Sequence, residues 1–158
     1  VIFAIHREII DEVVNRYKDM AVKIDGSVKP ELRTDIVNRF QHDDSIRIFV
    51  GNIKAAGVGL TLTAASNVVF LELPWTPGEL SQAEDRCHRI GQKNSVNIWY
   101  LLPKNTIEET LAKMIDSKRK VLAEVLDGET SPKTDNMISE LIDNMINELA
   151  VNFFKEEN

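Results

Sequence analysis

Gln82, Arg86 and Arg89 have the residue types and the spacing to grip a polyanion. Four and then three residues apart, they share one face if the segment is helical. That face would carry an amide and two permanent charges, and guanidinium forks match phosphate oxygens bidentately. A polyphosphate is the natural guest. The competing reading is a solvated helix whose arginines pair with Glu84 and Asp85. The ending separates the two, because Ile90-Gly91-Gln92 offers Gly91 as the glycine that stops a helix. A stop there leaves Arg89 in the last turn, at the rim of the domain and able to reach outward.

Other segments carry weaker signals. Asp25-Gly26-Ser27 has the composition of a strand-ending turn, and Ser27 with the amides near a following helix start could also hold a phosphate. Gly57-Val58-Gly59 lacks the third glycine of a dinucleotide fingerprint, Leu62 standing in its place, and no acid follows at the ribose position. Its glycines suit a tight turn or the close approach of a ligand to the backbone at a strand end. Trp75, between Pro74 and Pro77, reads as a packed hinge, with base stacking as the second choice. His6, His42, His88 and Cys87 lack the spacing of a zinc site. No Gly-x-x-x-x-Gly-Lys-Ser/Thr loop and no strand-ending Asp-Glu pair occur, so the parts that cradle a nucleoside triphosphate and its magnesium are missing.

The elements that must position these residues alternate strand and helix. Apolar runs at Val1–Ile5, Ala21–Ile24, Ile46–Val50, Val68–Leu71 and Val96–Leu102 predict five strands. His6–Met20 has Ile9, Ile10, Val13, Val14 and Tyr17 at helical spacing, and Pro30 suits the first turn of a helix with Leu32, Ile36, Val37 and Phe40 on its apolar face. Unalternated strands separated by helices imply an α/β fold, a parallel sheet with helices on both faces. Thr106 and Glu109 form a capping box for a helix carrying Ile107, Leu111, Met114, Ile115, Leu122 and Val125. Residues 1–126 are thus expected to form one lobe and 127–134, with Gly128 and Pro132, a linker. A C-terminal amphipathic helix and tail should fill 135–158, its apolar residues paired every four positions from Met137-Ile138 to Phe153-Phe154. That stripe must pack on the lobe or mediate self-association.

Taken in order, these segments resemble the Swi/Snf family of helicase-like ATPases. Residues 82–92 resemble motif VI, whose two arginines act as arginine fingers on ATP. Val1-Ile2-Phe3 resembles motif IV, and Ile24-Asp25-Gly26-Ser27 resembles the motif after it. Residues Ile53-Lys54-Ala55-Ala56-Gly57-Val58-Gly59-Leu60-Thr61 resemble motif V, followed by Glu72-Leu73-Pro74-Trp75-Thr76-Pro77. The wording of motif V and Val96-Asn97-Ile98-Trp99-Tyr100 lean toward the annealing-helicase branch, which rewinds DNA at stalled forks.

The resemblance implies a RecA-like fold and the second motor lobe of a DNA-dependent ATPase that moves on double-stranded DNA. Arg86 and Arg89 would be its fingers, with ATP contacts at Gly57, Gln82, Arg86 and Arg89, and DNA contacts at Ser27, Asn52 and Lys54. ATP and Mg would be held mainly by a first, N-terminal RecA-like lobe of the same protein, and the fragment alone is expected to be inactive. Double-stranded or forked DNA is the expected partner. Where the family often has Ser-Thr, this chain has Asn52-Ile53; the amide can still donate to a phosphate, Ile53 cannot. Lys54 reads equally as a solvated lysine. The alternatives are a chromatin remodeller, an RNA helicase lobe, or a non-enzymatic interaction module built on the C-terminal helix.

Composition sets the remaining bounds. With 158 residues and 43% hydrophobic content the chain can bury a core, and no apolar run approaches a membrane span. It opens inside an apolar run without Met, which predicts a piece of a longer protein. The single Cys87 excludes an internal disulfide and fits a reducing, intracellular setting, nuclear in a eukaryote. Of the net charge of −6, residues 135–158 supply −5, six acids against Lys155 alone. The body is therefore nearly neutral, which suits a local phosphate-contacting edge and weak DNA affinity rather than a broad basic face.

Overall fold

The structure, a computed structural model, describes residues 1–55, 59–104 and 106–126. The expected linker at 127–134 and the helix at 135–158 lie outside the described residues. Two compact units divide the chain, Val1–Leu102 and Pro103–Asn158.

In the first unit the strands are β1 (Ile2–Ala4), β2 (Ala21–Ile24), β3 (Ile48–Asn52), β4 (Asn67–Phe70) and β5 (Asn97–Tyr100). Helices α1 (Arg7–Tyr17), α2 (Pro30–His42) and α3 (Pro77–Glu84) connect them. Every strand pair is parallel, and the order across the sheet is β2-β3-β1-β4-β5. Parallel neighbours need crossovers, which is why helices follow most of the strands. The chain leaves β1 toward β2 and leaves β4 toward β5. The gap between the ends of β1 and β4 is therefore the topological switch point, where open α/β sheets accept ligands.

Strand alternation sorts the core into two layers. Ala4 and Val50 face α1 and cluster with its Ile10, all fully buried, with Ile2, Ile9 and Val13 packed around them. Phe3, Phe49 and Phe70 point the other way: Phe3 stacks on Phe70 at 5.4 Å, and Phe40 of α2 meets Phe49 at 5.5 Å. Helices thus cover both faces, as the unalternated strands required. Gly51 sits in the aromatic layer opposite Phe3, and a Cβ there would come within 3.0 Å of the Phe3 ring and 3.1 Å of Phe49. Only glycine fits between the rings.

One expectation about the sheet needs correction. The strand expected at Val96–Leu102 is not buried: all of β5 is exposed, with Trp99 56% accessible. An edge strand has one paired side only, and among the described residues β5 pairs with β4 alone. Its apolar run therefore marks an edge.

In the second unit, α4 (Ile107–Leu126) follows directly on Thr106, whose hydroxyl donates to the Pro103 carbonyl at 2.9 Å. Leu111, Met114 and Ile115, one helical face, are buried.

Candidate functional site

Helix α3 opens with the Thr76 hydroxyl accepting from the Glu79 amide at 3.4 Å and Pro77 in the first turn. It stops earlier than expected. The helix ends at Glu84, and Arg86 to Gln92 form a loop, so Gln82, Arg86 and Arg89 do not share one helix face. Tertiary contacts hold the loop that follows. In a continuing helix the Arg86 and Cys87 carbonyls would accept from Ile90 and Gly91. Instead the Leu62 backbone amide takes the Arg86 carbonyl at 2.8 Å and the Gln92 side-chain Nε2 takes that of Cys87 at 3.3 Å. Gly91 is consequently not a helix stop. It lies, at φ +103°, in the turn closed by the Gln92 amide on the Arg89 carbonyl at 2.9 Å.

This arginine loop is fastened to the segment between β3 and β4. Gln92 donates to the carbonyls of Thr63 at 3.2 Å and Ala65 at 2.8 Å, and accepts from the Asn94 amide. Arg89 is exposed and directs Nη1 to the Leu60 carbonyl at 3.5 Å and the Thr61 hydroxyl at 3.4 Å. Arg86 is only 5% exposed. Burial, and then the like charge of Arg89, push the Arg86 guanidinium down from the usual arginine range, against the opposing pull of Asp85. Gln82 is exposed on α3, and Gly57 lies outside the described residues. Next to the arginines Cys87 is fully buried, and burial pushes its thiol up to about 11, which leaves it unreactive.

The second group of candidate residues lies at the C-terminal ends of β2 and β3. Register pairs Ile24 with Gly51, so the turn at Asp25–Ser27 and the turn at Asn52–Ala55 lie side by side. The three sequence-picked residues meet there, but two are engaged inward. Asp25 accepts from the Ser27 hydroxyl and from the Ser27 amide at 2.8 Å. Asn52 donates to the Ile5 carbonyl at 2.6 Å, and its oxygen caps the amides of Lys54 at 3.0 Å and Ala55 at 3.1 Å. Lys54 is exposed. Asp25 is buried, which opposes its ionisation, but the Ser27 bonds and the Lys23 ammonium at 3.1 Å hold it down at about 2. Lys23 also bonds Asp11 on α1, and Arg7 lies 3.9 Å from Asp25, so the turn is pinned by a four-residue charge network.

The switch point between β1 and β4 holds an anion that belongs to the chain. Glu72 accepts from the amides of Ile5 at 2.7 Å and His6 at 2.9 Å, at the start of α1, and pairs with the His6 ring. That hydrogen bond and the Glu72 charge raise His6 above the ordinary histidine value. A carboxylate therefore sits at the helix N-terminus where phosphates dock in many α/β proteins. Among the described residues no three His, Cys, Asp or Glu side chains converge on a metal-sized site.

Sequence reasoning missed Glu72, Arg33 and Gln41. Arg33 donates to the Val28 and Ala55 carbonyls, both at 3.2 Å, and Gln41 to the Thr61 carbonyl at 3.1 Å. Nothing in their local pattern distinguishes them from solvated helix residues. Gln92 lay inside the motif without an assigned role. Trp75 corrects the hinge reading: Pro74 is fully buried, but the indole is 59% exposed.

Comparison with known proteins places these features. A model of the helicase conserved C-terminal domain matches residues 1–91, more than half of the chain. The chain belongs to that family. This helicase domain is 46% identical over 140 residues to the Caenorhabditis elegans SWI/SNF-related matrix-associated actin-dependent regulator of chromatin subfamily A-like protein 1 homolog, covering 86% of the chain and 20% of that protein. It is 45% identical over 130 residues to the human DNA annealing helicase and endonuclease ZRANB3, covering 80% of the chain and 12% of that protein. The domain thus spans about a fifth or less of the length of these relatives. Among solved structures, the C-terminal part of the Fun30 ATPase domain superposes with a TM-score of 0.66 at 33% identity, covering 71% of the chain and 37% of that structure. The SWI/SNF resemblance and the RecA-like parallel sheet of this helicase domain both hold.

Proposed function

We propose that this helicase domain is the second motor lobe of a SWI/SNF-type, DNA-dependent ATPase that translocates on double-stranded DNA, with Arg86 and Arg89 as its arginine fingers. The observation that carries the reading is the arginine loop itself. Two guanidiniums whose charges oppose each other are held on one loop, tied to the β3–β4 segment by five hydrogen bonds from Leu62, Arg89 and Gln92. Like charges so placed are relieved by a polyanion, and the exposed Arg89 fork is open to a triphosphate while Arg86, 5% exposed, adds its charge from within. Mg-bound ATP, held mainly by the first lobe, supplies the phosphoryl group and part of its charge neutralisation. Arg86 and Arg89 neutralise charge that develops on that group as the lobes close, Gln82 and the backbone at Gly57 being the further ATP contacts. The Glu72 carboxylate at the switch point supports the same division of labour, because it fills the anion site this lobe would need to hold nucleotide alone.

DNA contact runs along the β2–β3 edge through Lys54, with Ser27 and Asn52 shaping the turns that present it. The relative named a DNA annealing helicase favours DNA as the partner, and double-stranded or forked DNA and a nuclear setting belong to the same proposal. The name of the Caenorhabditis elegans relative favours chromatin as the second reading. The test is steady-state turnover of the full-length protein with and without DNA. Arginine fingers are worth ~10³–10⁵ in rate, so Arg86→Ala and Arg89→Ala should each abolish DNA-stimulated hydrolysis, and Arg→Lys should not rescue it. Robust hydrolysis by either alanine variant refutes the finger assignment, and robust hydrolysis by the purified 158-residue chain alone refutes the two-lobe assignment.

A further inference from the structure

Helix α2 grips the segment between β3 and β4 at both flanks, through Arg33 and Gln41. Eight residues apart with Val37 midway, they share one helix face, about 12 Å apart along the axis. At the near flank Arg33 binds the Ala55 carbonyl through Nη1 and the Val28 carbonyl through Nε. Those carbonyls belong to the two turns at the strand edge read as the DNA face. At the far flank Gln41 donates to the Thr61 carbonyl and, at 3.2 Å, to the Thr63 hydroxyl, and it accepts from the Ala64 amide at 2.7 Å. This is the stretch to which the arginine loop is fastened, through Leu62 to Arg86, Thr61 to Arg89 and Thr63 to Gln92.

The residue types suit the task. A cation close to a helix N-terminus is disfavoured by the helix dipole, and the two carbonyls explain why Arg33 sits there. A neutral amide at position 41 satisfies two acceptors and one donor without bringing a negative charge close to the arginine loop.

We propose that α2 is a positioning splint: Arg33 and Gln41 are positioning residues that couple the DNA-side turns to the arginine loop, so that displacement at one is passed to the other. The inference rests on the proposed role of Arg86 and Arg89. In the full-length enzyme, Gln41→Ala should lower the DNA-stimulated kcat about tenfold or more, because misplaced fingers lose transition-state contact. The ATP KM and the half-saturating DNA concentration should stay within about twofold. Gln41→Glu keeps an acceptor for Ala64 but loses both donors, and should fall nearly as far. Arg33→Ala combined with Gln41→Ala should cost less than the product of the single effects, since both act on one segment. All assays run well below the melting temperature of each variant. Full kcat in both Gln41 variants, or a loss confined to KM and DNA affinity, overturns the splint while Arg89→Ala still inactivates the enzyme. If Arg89→Ala itself retains turnover, the finger assignment fails instead.

Discussion

The buried carboxylate of Asp25 should make the stability of this domain depend on acid in a narrow window. Its pKa is lowered from 3.8 to about 2 by the Ser27 hydrogen bonds and the Lys23 ammonium, against the opposing effect of burial. At 1.36 kcal/mol per pKa unit, the ionised form contributes about 2 kcal/mol to folding. The folded pKa lies below the unfolded one, so this stability is fully present above about pH 4 and is lost as pH falls toward about 2. Asp25→Asn keeps the side chain's shape and an acceptor for Ser27 but removes the charge that Lys23 and Arg7 face. Urea unfolding of both proteins, followed from about pH 7 down to about pH 2, measures the difference directly. The variant should be about 2 kcal/mol less stable on the plateau, and the two curves should converge as acid protonates the wild-type carboxylate. A gap that stays constant to the lowest pH would mean that packing, and not charge, sets the worth of Asp25.

Gly51→Ala should destabilise the domain by about 1–3 kcal/mol, because its Cβ would meet the fully buried Phe3 and Phe49 rings at 3.0 and 3.1 Å; thermal denaturation at wild-type stability would show that the rings can give way. At the proposed DNA edge, Lys54→Ala should lower the salt slope of DNA binding by the full-length protein by about one unit without changing sequence preference. Ser27→Ala should leave that slope unchanged and act through stability, since its hydroxyl and amide are engaged by Asp25, and a reduced slope would restore Ser27 as a phosphate contact.

The sequence by itself determined the parallel α/β lobe, because runs of unalternated apolar residues separated by amphipathic helices have few other ways to bury their faces. It also picked out the segments that carry the candidate site. The turns at Asp25–Ser27 and Asn52–Ala55 occupy strand ends by local chemistry, and register alone then sets them side by side. Where α3 ends was beyond it. Local rules weigh spacing and the glycine at position 91, whereas the helix ends at Glu84 and the Leu62 amide, 24 residues upstream, holds the Arg86 carbonyl that a longer helix would give to Ile90. The same limit hid Arg33, Gln41 and Glu72: each is an ordinary surface residue to its neighbours in sequence, and each finds its acceptors or donors on a different element. The accessibility of Trp75 and β5 was hidden too, since their apolar side chains predict burial although both are exposed, β5 at the sheet edge. Sequence sets what each segment can bury and which groups it offers. Which donor meets which acceptor across the chain is decided only when the sheet forms and brings distant backbone groups within about 3 Å.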